Sequence, residues 1–188
     1  MIELGINLEV RDEDEARINP EVWYTPESVG ELEITSFEIT IMNPEIPIRV
    51  NQYPMSQEGK KGLKQGLLEP CMSPHNTPLL PVKKPDGSYR LVQDLREVNK
   101  RTLTRFPVVA NPYTLLSQLS PELKWYSVTD LKDAFWACPL KEACRNYFAF
   151  EWEDSKTHGK QQLRWTVLPQ GFTESPNLFG QALETTYY

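Results

Sequence analysis

Cysteine and histidine are scarce in this chain of 188 residues: Cys71, Cys138, Cys144, His75 and His158 account for all of them. An odd number of thiols, none in a C-x-x-C spacing, excludes a disulfide framework, and two distant histidines give no structural zinc arrangement. Buried thiols in a reducing, cytoplasmic compartment are the expectation. No apolar run approaches the roughly 20 residues that cross a bilayer. The acidic start Met1–Gly5 does not read as a signal peptide, so no membrane partner is expected. There are no internal repeats, no low-complexity tracts and no G-x-x-x-x-G-K phosphate loop. A net positive charge is also lacking; the value of −6 argues at first against a nucleic-acid partner.

The distribution of charge reverses that argument. Residues 1–50 carry 12 acidic and 3 basic side chains, whereas residues 51–188 carry 14 and 17. The acidity therefore belongs to a leader, and the rest is mildly basic. The densest run, 83–105, holds seven cations (Lys83, Lys84, Arg90, Arg96, Lys100, Arg101 and Arg105) against three acids. By itself such a run reads equally as a solvated face.

Residues 1–20 are polar, contain the block Arg11–Arg17, and are expected to be disordered or loosely attached. Between Gly30 and Val50 apolar residues begin to alternate (Ile46, Ile48, Val50) among Pro44, Pro47 and Pro54, which fits an extended arm confined to edge or loop positions and lying on the next domain. The stretch 57–68 is helix-like in composition, but Gly59, Gly62 and Gly66 each weaken a helix by about 1 kcal/mol. Leu79–Val82 and Tyr89–Val92 flank Pro85-Asp-Gly-Ser88, turn chemistry that predicts a β-hairpin. Lys83, Lys84 and Arg90 gather around its tip, where three cations suit a polyphosphate or are merely solvated.

A short helix is expected from Leu95 and another over Tyr113–Leu119. Trp125–Thr129 reads as a buried strand that stops at Asp130. A strand ending in aspartate delivers a carboxylate to a sheet rim, where it either holds a hard cation or caps the following turn. Asn146–Trp152 and Gln161–Leu168 read as a second hairpin, and a final helix is expected from Ser175 as N-cap with Pro176 at its first position.

Several blocks in order — Gln52-Tyr-Pro-Met55, Ser73 to Lys84, Val92-Gln-Asp-Leu-Arg-Glu-Val-Asn-Lys-Arg101, Val128-Thr-Asp-Leu-Lys-Asp-Ala-Phe135, Phe148-Ala-Phe-Glu-Trp152 and Leu168-Pro-Gln-Gly-Phe172 with Ser175-Pro176 — carry a resemblance. Residues 51–183 resemble the fingers and first half of the palm of retroviral reverse transcriptases, of the gammaretroviral or endogenous type. The resemblance implies an α+β fold: an acidic leader and extended arm over 1–50, fingers with part of the palm entry over 51–124, and a truncated palm with a partial antiparallel sheet over 125–188. It implies a nucleotidyltransferase that adds dNTPs to a primer on an RNA or DNA template, using two magnesium ions, or manganese in their place. In this family Asp130 matches the first metal-binding aspartate, with the Leu131 carbonyl helping to hold the second ion. Lys84 and Arg90 match residues that close over the triphosphate, and the N–H groups of Asp133 and Ala134 meet its distal oxygens. Phe135 matches the aromatic gate that excludes a 2′-hydroxyl, and Gln170 matches a residue near the nucleotide's sugar. Lys83, Arg96, Lys100, Arg101 and Arg105 are the remaining candidates for nucleic-acid contact.

Two features depart from the family pattern. The other two catalytic carboxylates of the family lie in a Tyr-x-Asp-Asp turn beyond the helix starting near Ser175, and no such motif occurs in these 188 residues. The helix between Ser56 and Leu67 is also shorter than usual, by about two turns. A polymerase fragment inactive by itself is therefore expected. The alternative is an endogenous relic that binds nucleic acid weakly or serves a protein-interaction role, and the open palm edge is a route to self-association.

Overall fold

The computed structural model describes residues 17, 30, 32–53, 67–85, 87, 89–104, 112–122, 124, 131, 133–153 and 158–187. The expected strand 125–129, Asp130, Arg105 and the glycine-bearing stretch 57–66 lie outside them. The chain divides into two units, Met1–Gly30 and Glu31–Tyr188. In the first, Arg17 and Gly30 are the described residues, and both are exposed.

The second unit mixes helix and sheet. Its strands are β1 (Leu68–Pro70), β2 (Leu79–Lys83), β3 (Tyr89–Gln93), β4 (Ala149–Glu153) and β5 (Lys160–Trp165). Its helices are α1 (Arg96–Arg101), α2 (Pro112–Ser117), α3 (Glu142–Arg145) and α4 (Ser175–Tyr187), with single 3₁₀ turns at Ala134–Ala137 and Asn146–Phe148. Strands β2 and β3 pair antiparallel with Leu79 opposite Gln93 and Lys83 opposite Tyr89. The tip closes as the turn chemistry requires: the Gly87 N–H donates to the Lys84 carbonyl at 3.0 Å, Pro85 sits second in the turn, and Gly87 has φ +82°.

The other sheet has the order β1-β5-β4, antiparallel throughout. The expected hairpin is present but shorter than its apolar run, because Asn146–Phe148 coils into a 3₁₀ turn before β4 begins. That turn drives Phe148 into the core, fully buried with an edge-to-face contact to Phe172 at 5.0 Å. Strand β1 had no sequence signal, being three residues long with Pro70 at its end, which suits an edge. Glu69 on it accepts from Arg164 (2.7 Å) on β5 and Arg145 (3.0 Å) on α3, tying the sheet edge to that helix.

Helix α4 corrects the expected cap. The Ser175 hydroxyl is fully buried and donates to the Pro169 carbonyl at 2.9 Å, outside the helix. The first turn closes through Leu178 N–H to the Glu174 carbonyl at 2.9 Å, which moves the N-cap to Glu174. Ser175 instead anchors the preceding loop.

Residues 32–50 form isolated bridges rather than strands. Phe37 bridges Leu140, Ile41 bridges Thr102 and Arg49 bridges Asn76, burying Ile39, Ile41 and Ile48. The prolines withhold N–H groups, so contact is made at separate points. One point is chemically distinctive: the Ile48 N–H donates to Nδ1 of buried His75 at 3.1 Å, so that nitrogen must be unprotonated. Burial pushes the His75 pKa down, and Arg101 and Arg49 push the same way. A depressed histidine pKa contributes stability that is present above the ordinary value of 6.5 and is lost as pH falls below it. The melting temperature is therefore expected to fall between about pH 7.5 and about pH 5.5, and His75→Asn, which keeps an acceptor but does not titrate, to reduce that fall. Equal slopes for the two proteins would show that His75 plays no such part.

Candidate nucleic-acid interface

The apolar run Ala134-Phe-Trp-Ala137 winds into a 3₁₀ turn entered through Asp133, a non-glycine residue in the left-handed region at φ 55°, ψ 28°. The turn closes with Trp136 N–H to the Asp133 carbonyl (2.9 Å) and Cys138 N–H to the Phe135 carbonyl (3.1 Å). Phe135 is half-buried and meets Phe179 of α4 edge-to-face at 5.9 Å, and Trp136 stacks on Trp165 of β5 at 5.8 Å. Leu131, just ahead of the turn, is exposed. Cys138, behind it, is fully buried, and burial raises its thiol pKa to about 11, which leaves it unreactive.

Phe135 and Gln170 are brought onto neighbouring chain segments. Beyond the 3₁₀ turn, residues 138–140 pair with 166–168: Leu140 N–H donates to the Thr166 carbonyl (2.8 Å) and Leu168 N–H to the Cys138 carbonyl (3.0 Å). Gln170 comes next, in a turn whose following residue, Gly171, has φ +90°, a conformation an L side chain would strain. The same turn touches β3 and α1. A Cβ at Gly171 would lie 3.7 Å from the Gln93 carbonyl, and Asn99 on α1 bonds the backbone of Gly171 and Thr173 at 3.0 Å each.

Gln93 knits these pieces together. Buried at the end of β3, it donates to Thr77 Oγ1 (2.7 Å) and the Phe148 carbonyl (3.1 Å) and accepts from Trp165 Nε1 (2.8 Å). The hairpin is thereby fixed at its base, while Lys83 and Lys84 stand exposed near its tip. Arg90 lies in register opposite Val82.

The other cations have different surroundings. Arg96 grips Asp94 through Nε (2.8 Å) and Nη2 (2.6 Å), and Tyr53 donates to the same carboxylate at 3.4 Å. The Arg96 hydrogen bond is the main reason the Asp94 pKa lies below the ordinary carboxylate value. Lys100 pairs with Glu97 at 2.7 Å. Arg101 serves the arm: its guanidinium donates to the carbonyls of Met42 (3.0 and 3.1 Å), Ile46 (2.8 Å) and Asn43. These groups line an open cleft of about 460 Å³, with Arg49, Arg96, Lys100 and Arg101 facing Asp94 and Glu97.

The charge run does not distinguish Arg101, a structural clamp on the arm, from the exposed Lys83 and Lys84. Tyr53, Gln93 and Asn99 went unnoticed; a buried Gln and a helical Asn carry a faint signal, since polar side chains there need partners. Among the described residues no three carboxylate, histidine or cysteine side chains converge to hold a metal ion. Among the described residues no helix is long and apolar enough to cross a membrane.

This architecture is that of the retroviral reverse transcriptase polymerase domain. The prototype foamy virus protease–reverse transcriptase (CSH mutant) superposes with a TM-score of 0.70 at 34% identity, over 88% of this chain and 22% of that one. The foamy viral protease–reverse transcriptase in complex with double-stranded DNA gives 0.70 at 34% identity, over 85% and 28%. Residues 82–187 match the model of the reverse transcriptase (RNA-dependent DNA polymerase) family, and the chain belongs to that family. It is 48% identical over 174 residues to the Gag-Pol polyprotein of baboon endogenous virus (strain M7), covering 87% of this chain and 10% of the polyprotein. It is 49% identical to the Pol polyprotein of feline endogenous virus ECE1, covering 87% and 17%. The chain is thus a reverse transcriptase portion of a retroviral Pol sequence, spanning 10% to 17% of these two relatives.

Proposed function

We propose that this chain forms the nucleotide- and template-facing part of an RNA-directed DNA polymerase, with fingers over 51–124 and the first half of a palm over 125–188, and that the 188 residues do not catalyse by themselves. The observation that carries the reading is one scaffold joining the Phe135 turn, the Gln170 turn and the base of the basic hairpin through paired segments 138–140 and 166–168 and through Gln93. On it Phe135 is the gate beneath the sugar and Gln170 lies beside it. Lys84 and Arg90 engage the triphosphate, and the N–H groups of Asp133 and Ala134 meet its far oxygens. Asp130, with the Leu131 carbonyl, is the chain's contribution to binding magnesium or manganese. Two cations a few ångströms apart repel strongly, and one carboxylate does not offset that. The acidic leader over 1–50 precedes the fingers. The buried thiols of Cys138 and Cys144 suit a reducing, cytoplasmic setting.

The partner is a template–primer duplex, supported by the foamy viral relative seen with double-stranded DNA. Lys83, Arg96, Lys100 and Arg105 meet its phosphates, Arg96 and Lys100 by sharing their exposed sides. Because such contacts release counterions, the binding constant is expected to fall steeply with salt, with a log–log slope of about −2 to −4. Fluorescence anisotropy with a labelled template–primer from about 50 to about 200 mM salt measures it. Lys83→Ala with Lys100→Ala is expected to flatten the slope by about 1 to 2. A salt-independent affinity, or none, would count against this surface.

A further inference from the structure

We propose that Asn99 is the positioning residue of the nucleotide face: it fixes the Gly171–Phe172 and Phe172–Thr173 peptides and so holds the turn that carries Gln170. Its role in nucleotide engagement rests on the proposed function; its grip on the turn does not.

The two ends of one side-chain amide are spent on one turn. Nδ2 donates to the Gly171 carbonyl and Oδ1 accepts from the Thr173 N–H, both at 3.0 Å, bracketing Phe172. Phe172 is buried against Phe148, so the middle of the turn is fixed by packing and its two flanks by Asn99. The pattern demands an amide: a donor must face the carbonyl and an acceptor the N–H, two atoms apart. Aspartate satisfies the Thr173 N–H but turns an oxygen toward the Gly171 carbonyl. Alanine satisfies neither.

The platform that holds Asn99 is itself anchored. Val98 is fully buried, the Thr102 hydroxyl donates to the Val98 carbonyl (2.9 Å), and Arg101 grips the arm. On the far side the turn is held by Ser175 to Pro169 and by Leu168 to Cys138. Asn99 is therefore the tie between α1 and the two peptides that flank Phe172, beginning one residue past Gln170. Gly171 in the left-handed region has wide conformational freedom. Without the tie that freedom is released next to the side chain that meets the nucleotide.

Two readouts on the 188-residue chain test this. In amide exchange followed by NMR, Asn99→Ala is expected to speed exchange of the Thr173 N–H about tenfold, as loss of one hydrogen bond implies. Asn99→Asp, which keeps the acceptor, is expected to leave Thr173 protected. Protection of Thr173 unchanged in Asn99→Ala overturns the proposal. The second readout is photolabelling by an azido-dNTP with template–primer and magnesium. Asn99→Ala and Asn99→Asp are both expected to lose labelling as Gln170→Ala does, although they differ in Thr173 exchange, a split that loss of stability alone does not produce. Labelling at the wild-type level in both Asn99 variants overturns the nucleotide role. If the wild-type chain is not labelled while Thr173 exchange responds as stated, the functional reading fails, and with it the nucleotide role, and the tie to the turn stands.

Discussion

Phe148→Ala is expected to lower the unfolding free energy by about 3–5 kcal/mol, the range for truncating a wholly buried phenylalanine. The side chain has no exposed surface and sits where the 3₁₀ turn 146–148 hands over to β4. Its removal loses the transferred apolar area, leaves a cavity, and takes away the edge of the ring against Phe172. The backbone cannot close the gap easily, because the Phe148 carbonyl is bonded to Gln93 and the Ala149 carbonyl accepts from Thr77. A shift of the urea midpoint at unchanged slope reads the loss. Since Phe172 belongs to the turn behind Gln170, template–primer binding is expected to weaken as well. A loss below about 1 kcal/mol would mean that the site collapses around the vacancy and that the core does not depend on Phe148.

Gln93→Leu tests polar rather than apolar support. The side chain keeps its approximate volume but withdraws a donor from Thr77 Oγ1 and the Phe148 carbonyl and an acceptor from the Trp165 indole. Buried groups left without partners cost about 1–3 kcal/mol each, with partial relief by rotation of the Thr77 hydroxyl, so a total of about 2–4 kcal/mol is expected. Because Gln93 joins the hairpin base to β5 and to the turn preceding β4, the loss should appear also as faster exchange at the hairpin base. Stability within about 0.5 kcal/mol of the parent would show that the network is dispensable.

Much of the fold was legible because it is written in local chemistry. Pro85-Asp-Gly announced a turn, the apolar segments on either side announced β2 and β3, and the two strands pair antiparallel. Helix α4 was visible from its apolar spacing. What failed failed where tertiary packing overrode local preference. Tyr147 and Phe148 look like strand residues, but the core takes Phe148 from a 3₁₀ turn. Ser175 looks like an N-cap, but a carbonyl two residues past Val167 claims its hydroxyl.

The site was legible in part, as a set of residue types rather than as an arrangement. Phe135 and Gln170 came from the resemblance, and their pairing through segments far apart in the chain had no local signature. Asn99 and Gln93 reach partners about 70 positions away, a distance at which periodicity carries no information. The charge run was visible, but the carbonyls of Met42, Asn43 and Ile46 that occupy the Arg101 guanidinium lie more than 50 positions away.

Primer extension by the 188-residue chain tests the central claim most directly. With a labelled dNTP, magnesium or manganese, and a template–primer at a concentration the chain binds, the account predicts bound duplex and no added nucleotide. Incorporation by this chain that disappears in Asp130→Asn would contradict it, because one carboxylate would then be doing what the account requires three to do.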